Sequence, residues 1–211
     1  QIAFIDFMKP ERFDAAQPVA TTLAEVTADT RTPLQCALAL CSYIFKNFQY
    51  KKGITTVEST IDEVWKIKSG VCQDFAHTLL VMLRLKHIPA RYVSGYICPN
   101  QAGMRGEGAT HAWVEAYIPG HGWLGLDPTN NCIANENHVR LAVGKNFSDC
   151  SPVKGTYRGT SNHTLEVAVA VLYEDGHISE DKIEPLEPEN PVTTSYSKNS
   201  FRKHQEMQQQ Q

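Results

Sequence analysis

The chain has 211 residues, 42% of them apolar and 20% charged, and a formal net charge of -3 at pH 7. Such a length can bury a substantial core, one domain of ordinary size plus a tail, with the balance of a soluble globular protein. The mild negative charge gives no basic footprint for nucleic acid, and no run approaches the roughly 18 apolar residues of a membrane span. Neither nucleic acid nor a membrane is therefore expected as a partner.

The N-terminal stretch "QIAFIDFMKPERF" has no Met, no basic n-region and no signal-peptide core. The expectation is a chain that starts partway through a longer protein, with residues 1–32 a lead-in that could end an upstream domain. The six cysteines (Cys36, Cys41, Cys72, Cys98, Cys132, Cys150) are scattered singly. Without a Cys-x-x-Cys pair, a zinc ribbon or thioredoxin-like site is not expected. Dispersed thiols suit a reducing cytoplasm, the expected location unless a signal lies upstream, although an even count leaves disulfides open.

From Pro33 to Phe48, apolar residues at Leu34, Ala37, Leu38, Cys41, Ile44, Phe45 and Phe48 follow the spacing of an amphipathic helix. Thr32 is its expected cap, with Pro33 in the first turn. Thr60–Lys68 reads as a short helix with a capping box from Thr60 and Glu63, broken by Gly70. A third helix covers Asp74–Leu85, opening at about Cys72, with Phe75, Leu79, Met82 and Leu83 on one broad face. Pro89 stops it, and Ala90–Ile97 reads as a strand.

Residues 99–110 hold three glycines and form a loop expected to be mobile and to border the site. "HAWVEAYI" (111–118) then alternates, with Ala112, Val114, Ala116 and Ile118 on one face and His111, Trp113, Glu115 and Tyr117 on the other. "PGHG" turns the chain and "WLGLD" (123–127) returns, a hairpin pattern. A last strand is expected over Leu165–Tyr173, and from Glu174 the Pro-, charge- and Gln-rich sequence reads as a polar tail. Helices followed by antiparallel strands predict an α+β domain, its helices packed on one side of the sheet.

Cys72 follows Gly70-Val71 and opens a helix, where unpaired backbone N–H groups and the dipole favour a thiolate and could hold an oxyanion. A cysteine is also among the most buried residue types, so this stretch alone leaves packing as the commoner explanation. The hairpin changes the balance. If opposed residue numbers sum to an even value, as in 113 with 127, His111 and Asp127 share a face as diagonal neighbours within reach of each other. A three- or five-residue connection gives that parity; a symmetric four-residue loop would put them on opposite faces.

Four segments in order, "GVCQDFAH", "LKHIPARYVSGY", "THAWVEAYIPGHGWLGLDPTN" and "HVRLAVGKNFSDCSPVKGTYRG", resemble the bacterial transglutaminase-like family, a branch of the papain-like cysteine enzymes. The resemblance runs from about Pro33 to about Tyr173. It implies a papain-like core over 33–173 and a catalytic Cys, His and Asp at Cys72, His111 and Asp127, and leaves 174–211 as the polar tail that composition indicates. In such a triad the thiol attacks an amide carbonyl, the imidazole moves the proton and the carboxylate orients the imidazole. The expected substrate is a peptide or protein amide, and hydrolysis is favoured over amine transfer; a non-catalytic binding module of the same fold is the other reading. Animal transglutaminases need calcium, but no EF-hand-like acidic loop is visible, so no metal and no cofactor is expected.

Further candidates are weaker. Trp113 shares the His111 face and could wall the acyl site or simply pack, and Trp123 faces the same way. Gln73 could lend its amide to the site. The resemblance places Tyr50 where transglutaminases carry an aromatic oxyanion donor. Asp74 reads most simply as a helix-dipole residue. His77 should point about 140° away from Cys72, and His87 and His121 should lie at the surface.

Overall fold

The computed structural model describes residues 4–56, 59–98 and 110–151. The predicted strand Leu165–Tyr173, the tail from Glu174 and nearly all of the glycine-rich loop fall outside those residues. In chain order the elements are α1 (Ile5–Met8), α2 (Ala16–Val26), α3 (Pro33–Asn47), β1 (Gln49–Tyr50), α4 (Ile61–Ile67), β2 (Ser69–Gly70) and α5 (Cys72–Leu85). Then come β3 (Ala90–Ile97), β4 (Thr110–Ile118), β5 (Gly122–Asp127), β6 (Cys132–Ile133), β7 (His138–Gly144) and a 3-10 turn over Phe147–Asp149.

The helix starts follow their caps. The Thr32 hydroxyl accepts from the Gln35 N–H at 3.2 Å and Pro33 fills the first position of α3. At α4, Thr60 and Glu63 make the reciprocal capping box. That helix ends on Lys68, whose left-handed backbone (φ 49) closes it two residues before the expected breaker Gly70.

Helix α5 is buried on more than the one face its spacing suggests. Eleven of its fourteen residues are hidden, because it lies between α3 on one side and the sheet on the other. A helix enclosed that way must be apolar nearly all round, and Phe75, Leu79, Met82 and Leu83 are fully buried. Each such side chain contributes about 1.5–3 kcal/mol relative to exposure. Residues 16–26, expected only as lead-in, form α2, which buries Val19 and Leu23 in that same core.

The five-stranded sheet runs β6-β5-β4-β3-β7 with every neighbour antiparallel. Ala112, Val114, Ala116 and Ile118 of β4 join Ala90, Tyr92 and Leu126 against the helices. The opposite face is covered as well. Phe4 and Phe7, at α1, pack on Tyr117 and Trp123; at the other end the chain between β6 and β7 lies on the sheet, with no room for a Cβ at Gly125 beside Ala134. Strand β7 reaches its place beside β3 through a bulge, since Ser94 pairs with Ala142 but Gly95 with Arg140.

Candidate active site

Cys72 is placed by the short parallel pair β1–β2, in which Tyr50 stands opposite Gly70. From there Val71 is extended (φ -112°, ψ -177°) and the chain turns directly into α5. The turn is held by Asp74, not by a capping side chain at Val71. Its Oδ2 accepts from the Val71 N–H at 2.8 Å and from the Thr55 hydroxyl at 2.6 Å. Asp74 is thus a buried bracket as well as a first-turn acid. Burial pushes its pKa up to about 6 against the pull of those two hydrogen bonds. Gly70 is required here, because a Cβ would run into the Asp74 carboxylate. Cys72 itself is half-buried.

His111 and Asp127 are brought together by hairpin register. Ile118 pairs with Gly122 and Val114 with Leu126, so the connection is the three-residue one and opposed numbers sum to an even value. Gly120 and Gly122 take the positive φ values, 81° and 97°, that this tight loop demands. His111 and Asp127 therefore share a face, with His111 Nε2 2.8 Å from Asp127 Oδ2 and both side chains closed to solvent.

The carboxylate is heavily braced. Pro128 ends the strand, and the turn behind it sends the N–H groups of Thr129 and Asn130 to Oδ1 at 2.8 and 3.2 Å. The Asn130 amide donates to Oδ2 at 2.7 Å, and His138 Nε2 lies 3.2 Å from that same oxygen. Burial would raise the Asp127 pKa, but the His111 charge and the bonds from His111, His138 and Asn130 hold it well below the usual carboxylate range. For His111, burial works to lower the pKa. The Asp127 charge and hydrogen bond overcome it, with help from Cys72, and lift the imidazole to about 10.

That last contribution comes from the Cys72 thiol. Nε2 of His111 is taken by Asp127, and the Cys72 side chain interacts with the ring closely enough to favour its charged form. Nδ1 is buried without a formed hydrogen bond of its own. A buried ring nitrogen left over by Asp127, with a cysteine at a helix start acting on the same ring, suits a thiolate–imidazolium pair.

The remaining candidates separate clearly. Trp113 is 2% exposed; it stacks behind His111 (ring centroids 6.2 Å apart, 24° between planes) and meets His138 edge-on, so it backs the site from within the protein. Trp123 lies farther along the same face under the Arg91 guanidinium. Tyr50 sits across from Gly70, two residues before Cys72, and packs edge-on against Phe75. Gln73 is buried in the first turn of α5. His77 turns away, accepting from the Phe147 N–H at 3.1 Å, while His87 and His121 are exposed.

His138 and Asn130 escaped the sequence reading. The available signal was the run "HVRLAVG", which, like "HAWVEAYI", opens a strand on a histidine. With Cys132, which pairs across from Asp127, His138 also completes a carboxylate–thiol–imidazole group whose donor atoms lie within 4.8 Å of one another.

Comparison with known proteins identifies the family and the fold. The model of the transglutaminase-like superfamily matches residues 20–128. An uncharacterized protein of Mycobacterium leprae is 36% identical over 174 residues, covering 76% of this chain and 61% of that protein. A protein-glutamine gamma-glutamyltransferase of Pseudomonas aeruginosa is 33% identical over 121 residues, 53% of this chain but 18% of that protein. Among solved structures, a candidate cysteine protease from Cytophaga hutchinsonii superposes with a TM-score of 0.61 at 26% identity, covering 72% of this chain and 50% of that one. The chain thus spans about 60% of the mycobacterial relative and half of the solved neighbour.

Proposed function

The chain belongs to the transglutaminase-like superfamily, and we propose that it is a thiol enzyme acting on a peptide or protein amide through Cys72, His111 and Asp127. One observation carries the reading: Asp127 holds Nε2 of a buried His111 at 2.8 Å while Cys72, at the start of α5, acts on the same ring.

The chemistry follows from that arrangement. Cys72 passes its proton to His111, and the sulfur forms a bond to the substrate carbonyl carbon. Charge gathering on the carbonyl oxygen is met by the backbone N–H of Cys72 at the start of α5. The tetrahedral species collapses, the C–N bond breaks, and His111 returns the proton to the leaving amine. A thioester remains on Cys72. Water, or a second amine, gives a proton to His111 and attacks the thioester, releasing acid or new amide and restoring the thiol. Asp127 holds the imidazole in orientation and offsets its charge throughout.

Hydrolysis is the favoured second step. Trp113, the aromatic best placed to line an acceptor site beside His111, is packed inside, and protecting an acyl intermediate from water requires enclosure. The similarity to the Cytophaga candidate protease points the same way. Amine transfer is the second reading, favoured by the Pseudomonas gamma-glutamyltransferase. All six cysteines are free thiols, which supports placing the enzyme in a reducing compartment such as the cytoplasm.

The deciding assay incubates a glutamine-containing peptide with and without a primary amine and follows products by mass spectrometry. Ammonia loss or backbone cleavage with water as acceptor supports hydrolysis; amine incorporation outrunning it reverses the order. Turnover that survives in Cys72→Ala overturns the covalent mechanism.

A further inference from the structure

Asp127 serves His111 with one oxygen, and that oxygen is shared. His138 Nε2 approaches Oδ2 at 3.2 Å, only 0.4 Å farther away than His111 Nε2 at 2.8 Å. Cys132 stands opposite Asp127 across the β5–β6 pair. The carboxylate oxygen, the thiol sulfur and an imidazole nitrogen thus converge within 4.8 Å.

We propose that Asp127, Cys132 and His138 form a zinc site that, when filled, takes Asp127 away from His111. The ligand types select the metal. Thiolate with imidazole suits a borderline-soft cation such as Zn²⁺, whereas calcium and magnesium demand oxygen ligands. Zinc bonds of about 2.0–2.3 Å put neighbouring tetrahedral ligands roughly 3.4–3.6 Å apart, so the three groups close on the ion by side-chain movement alone. Three protein ligands leave one tetrahedral position, for water or for His111 itself. Cys132 is half-buried rather than closed in, which gives the ion its way to the carboxylate.

The second shell is already in place. A zinc-binding histidine holds the metal with one ring nitrogen and donates the other N–H to an oxygen. Around His138 Nδ1, Asn135 offers both possibilities: its backbone N–H at 3.2 Å and its side-chain Oδ1 at 3.1 Å. With Nδ1 accepting from that backbone N–H, the tautomer is the one whose Nε2–H donates to Asp127. On binding, Nε2 gives up its proton to the metal's place, Nδ1 carries the ring proton instead, and Asn135 Oδ1 accepts it. The imidazole stays neutral, and the Cys132 thiol releases one proton to solvent. Carboxylate and thiolate then balance the double charge of the ion.

Binding stands on the geometry alone; its effect on turnover rests on the proposed function. The test separates the two. In Cys72→Ala protein, where the other half-buried thiol is gone, Co²⁺ is titrated and followed by its thiolate charge-transfer and visible bands. The expected result is one cobalt per chain, displaced by Zn²⁺. The bands should vanish in Cys72→Ala/Cys132→Ser, a near-isosteric change checked for fold by circular dichroism. Affinity should fall about 10–100-fold in Cys72→Ala/Asn135→Ala, the usual cost of losing an outer-shell partner. Absence of the thiolate band, or its survival in the Cys132→Ser protein, overturns the site. With Cys72 restored, inhibition by Zn²⁺ is expressed against each variant's own zinc-free rate. Cys132→Ser should need at least about tenfold more zinc for the same inhibition. Equal sensitivity would mean zinc acts at Cys72 and would overturn the regulatory role. A zinc-free enzyme with no amide turnover at all would sink the proposed function while leaving the cobalt result to stand.

Discussion

Val114 of β4 stands directly opposite Leu126 of β5, and this pairing puts Asp127 on the His111 face of the sheet. The contact it creates dominates the electrostatics of the site. With Asp127→Asn, the larger contribution that raises His111 disappears, while the smaller one from Cys72 and the burial that lowers it stay. The imidazole pKa, about 10 in the native protein, should drop below the ordinary value near 6.5. In the native protein that raised pKa contributes stability fully present below pH 6.5 and lost as pH rises towards 10; the variant should lack this alkaline loss. NMR titration of the His111 ring reports the shift directly, and a ring still charged at pH 8 in Asp127→Asn would contradict the assignment. Turnover should fall by roughly 10³–10⁴, as when a triad carboxylate becomes an amide.

Cys72 should differ from every other thiol. Cys36, Cys41, Cys98 and Cys150 are buried, and burial raises the pKa of each. Cys132 is half-buried, but burial and the Asp127 charge push its pKa to about 11. Near neutral pH, iodoacetamide should therefore label Cys72 first, as peptide mapping by mass spectrometry would show. His111→Ala should slow that labelling, and Cys72→Ala should abolish turnover without loss of fold. Labelling of Cys132 ahead of Cys72 would contradict the electrostatic picture.

What could be read in the sequence was whatever local spacing decides. The caps at Thr32 and Thr60, the helix over 33–48 and the alternation of 111–118 each depend on residues within one or two turns of each other. The parity argument for His111 and Asp127 extended this to the hairpin, because side chains alternate with a period of two. Tertiary relations lay beyond it. Strand β7 pairs with β3 rather than with a sequence neighbour, so His138 came to Asp127 unannounced. Asp74 looked like a dipole residue because its partner Thr55 lies 19 positions away across two elements. Helix α5 looked one-faced because nothing local says that α3 covers its second side. Lead-in residues 16–26 carry a weak helical pattern whose buried Val19 and Leu23 make sense only against that core.

Gly70 is where backbone placement and chemistry meet. A methyl group there collides with the carboxylate that ties Val71 to the start of α5. Gly70→Ala should cost roughly 1–3 kcal/mol, the range for overpacking a close-fitted site. The displaced turn should also move Cys72 and slow its alkylation. Thermal unfolding and the iodoacetamide rate measure the two effects, and Gly70→Ala with native values of both would show that Asp74 can swing aside freely.

His77 should govern stability in acid. Burial, aided by Arg84 and opposed by Glu11, lowers its pKa to about 4, while its ring accepts the Phe147 N–H and packs edge-on against Tyr92. Between pH 6.5 and 4 the unfolded chain takes up a proton at this position that the folded protein refuses. Stability is therefore intact above pH 6.5 and falls as pH drops towards 4, by at most about 3.5 kcal/mol at roughly 1.4 kcal/mol per pKa unit. Asp74 acts in the other direction: its folded pKa of about 6 lies above the unfolded value, so acidification through that window stabilises the fold. The two oppose each other in the native protein, and the His77→Gln variant isolates one of them. Glutamine can still accept from the Phe147 N–H but cannot be protonated. Urea unfolding at pH 7 and pH 4.5 should show a smaller acid loss in His77→Gln than in the native protein. Equal losses would mean that His77 remains unprotonated in both folded and unfolded chains over this range, or that its proton is accommodated on folding, and either would contradict the burial argument.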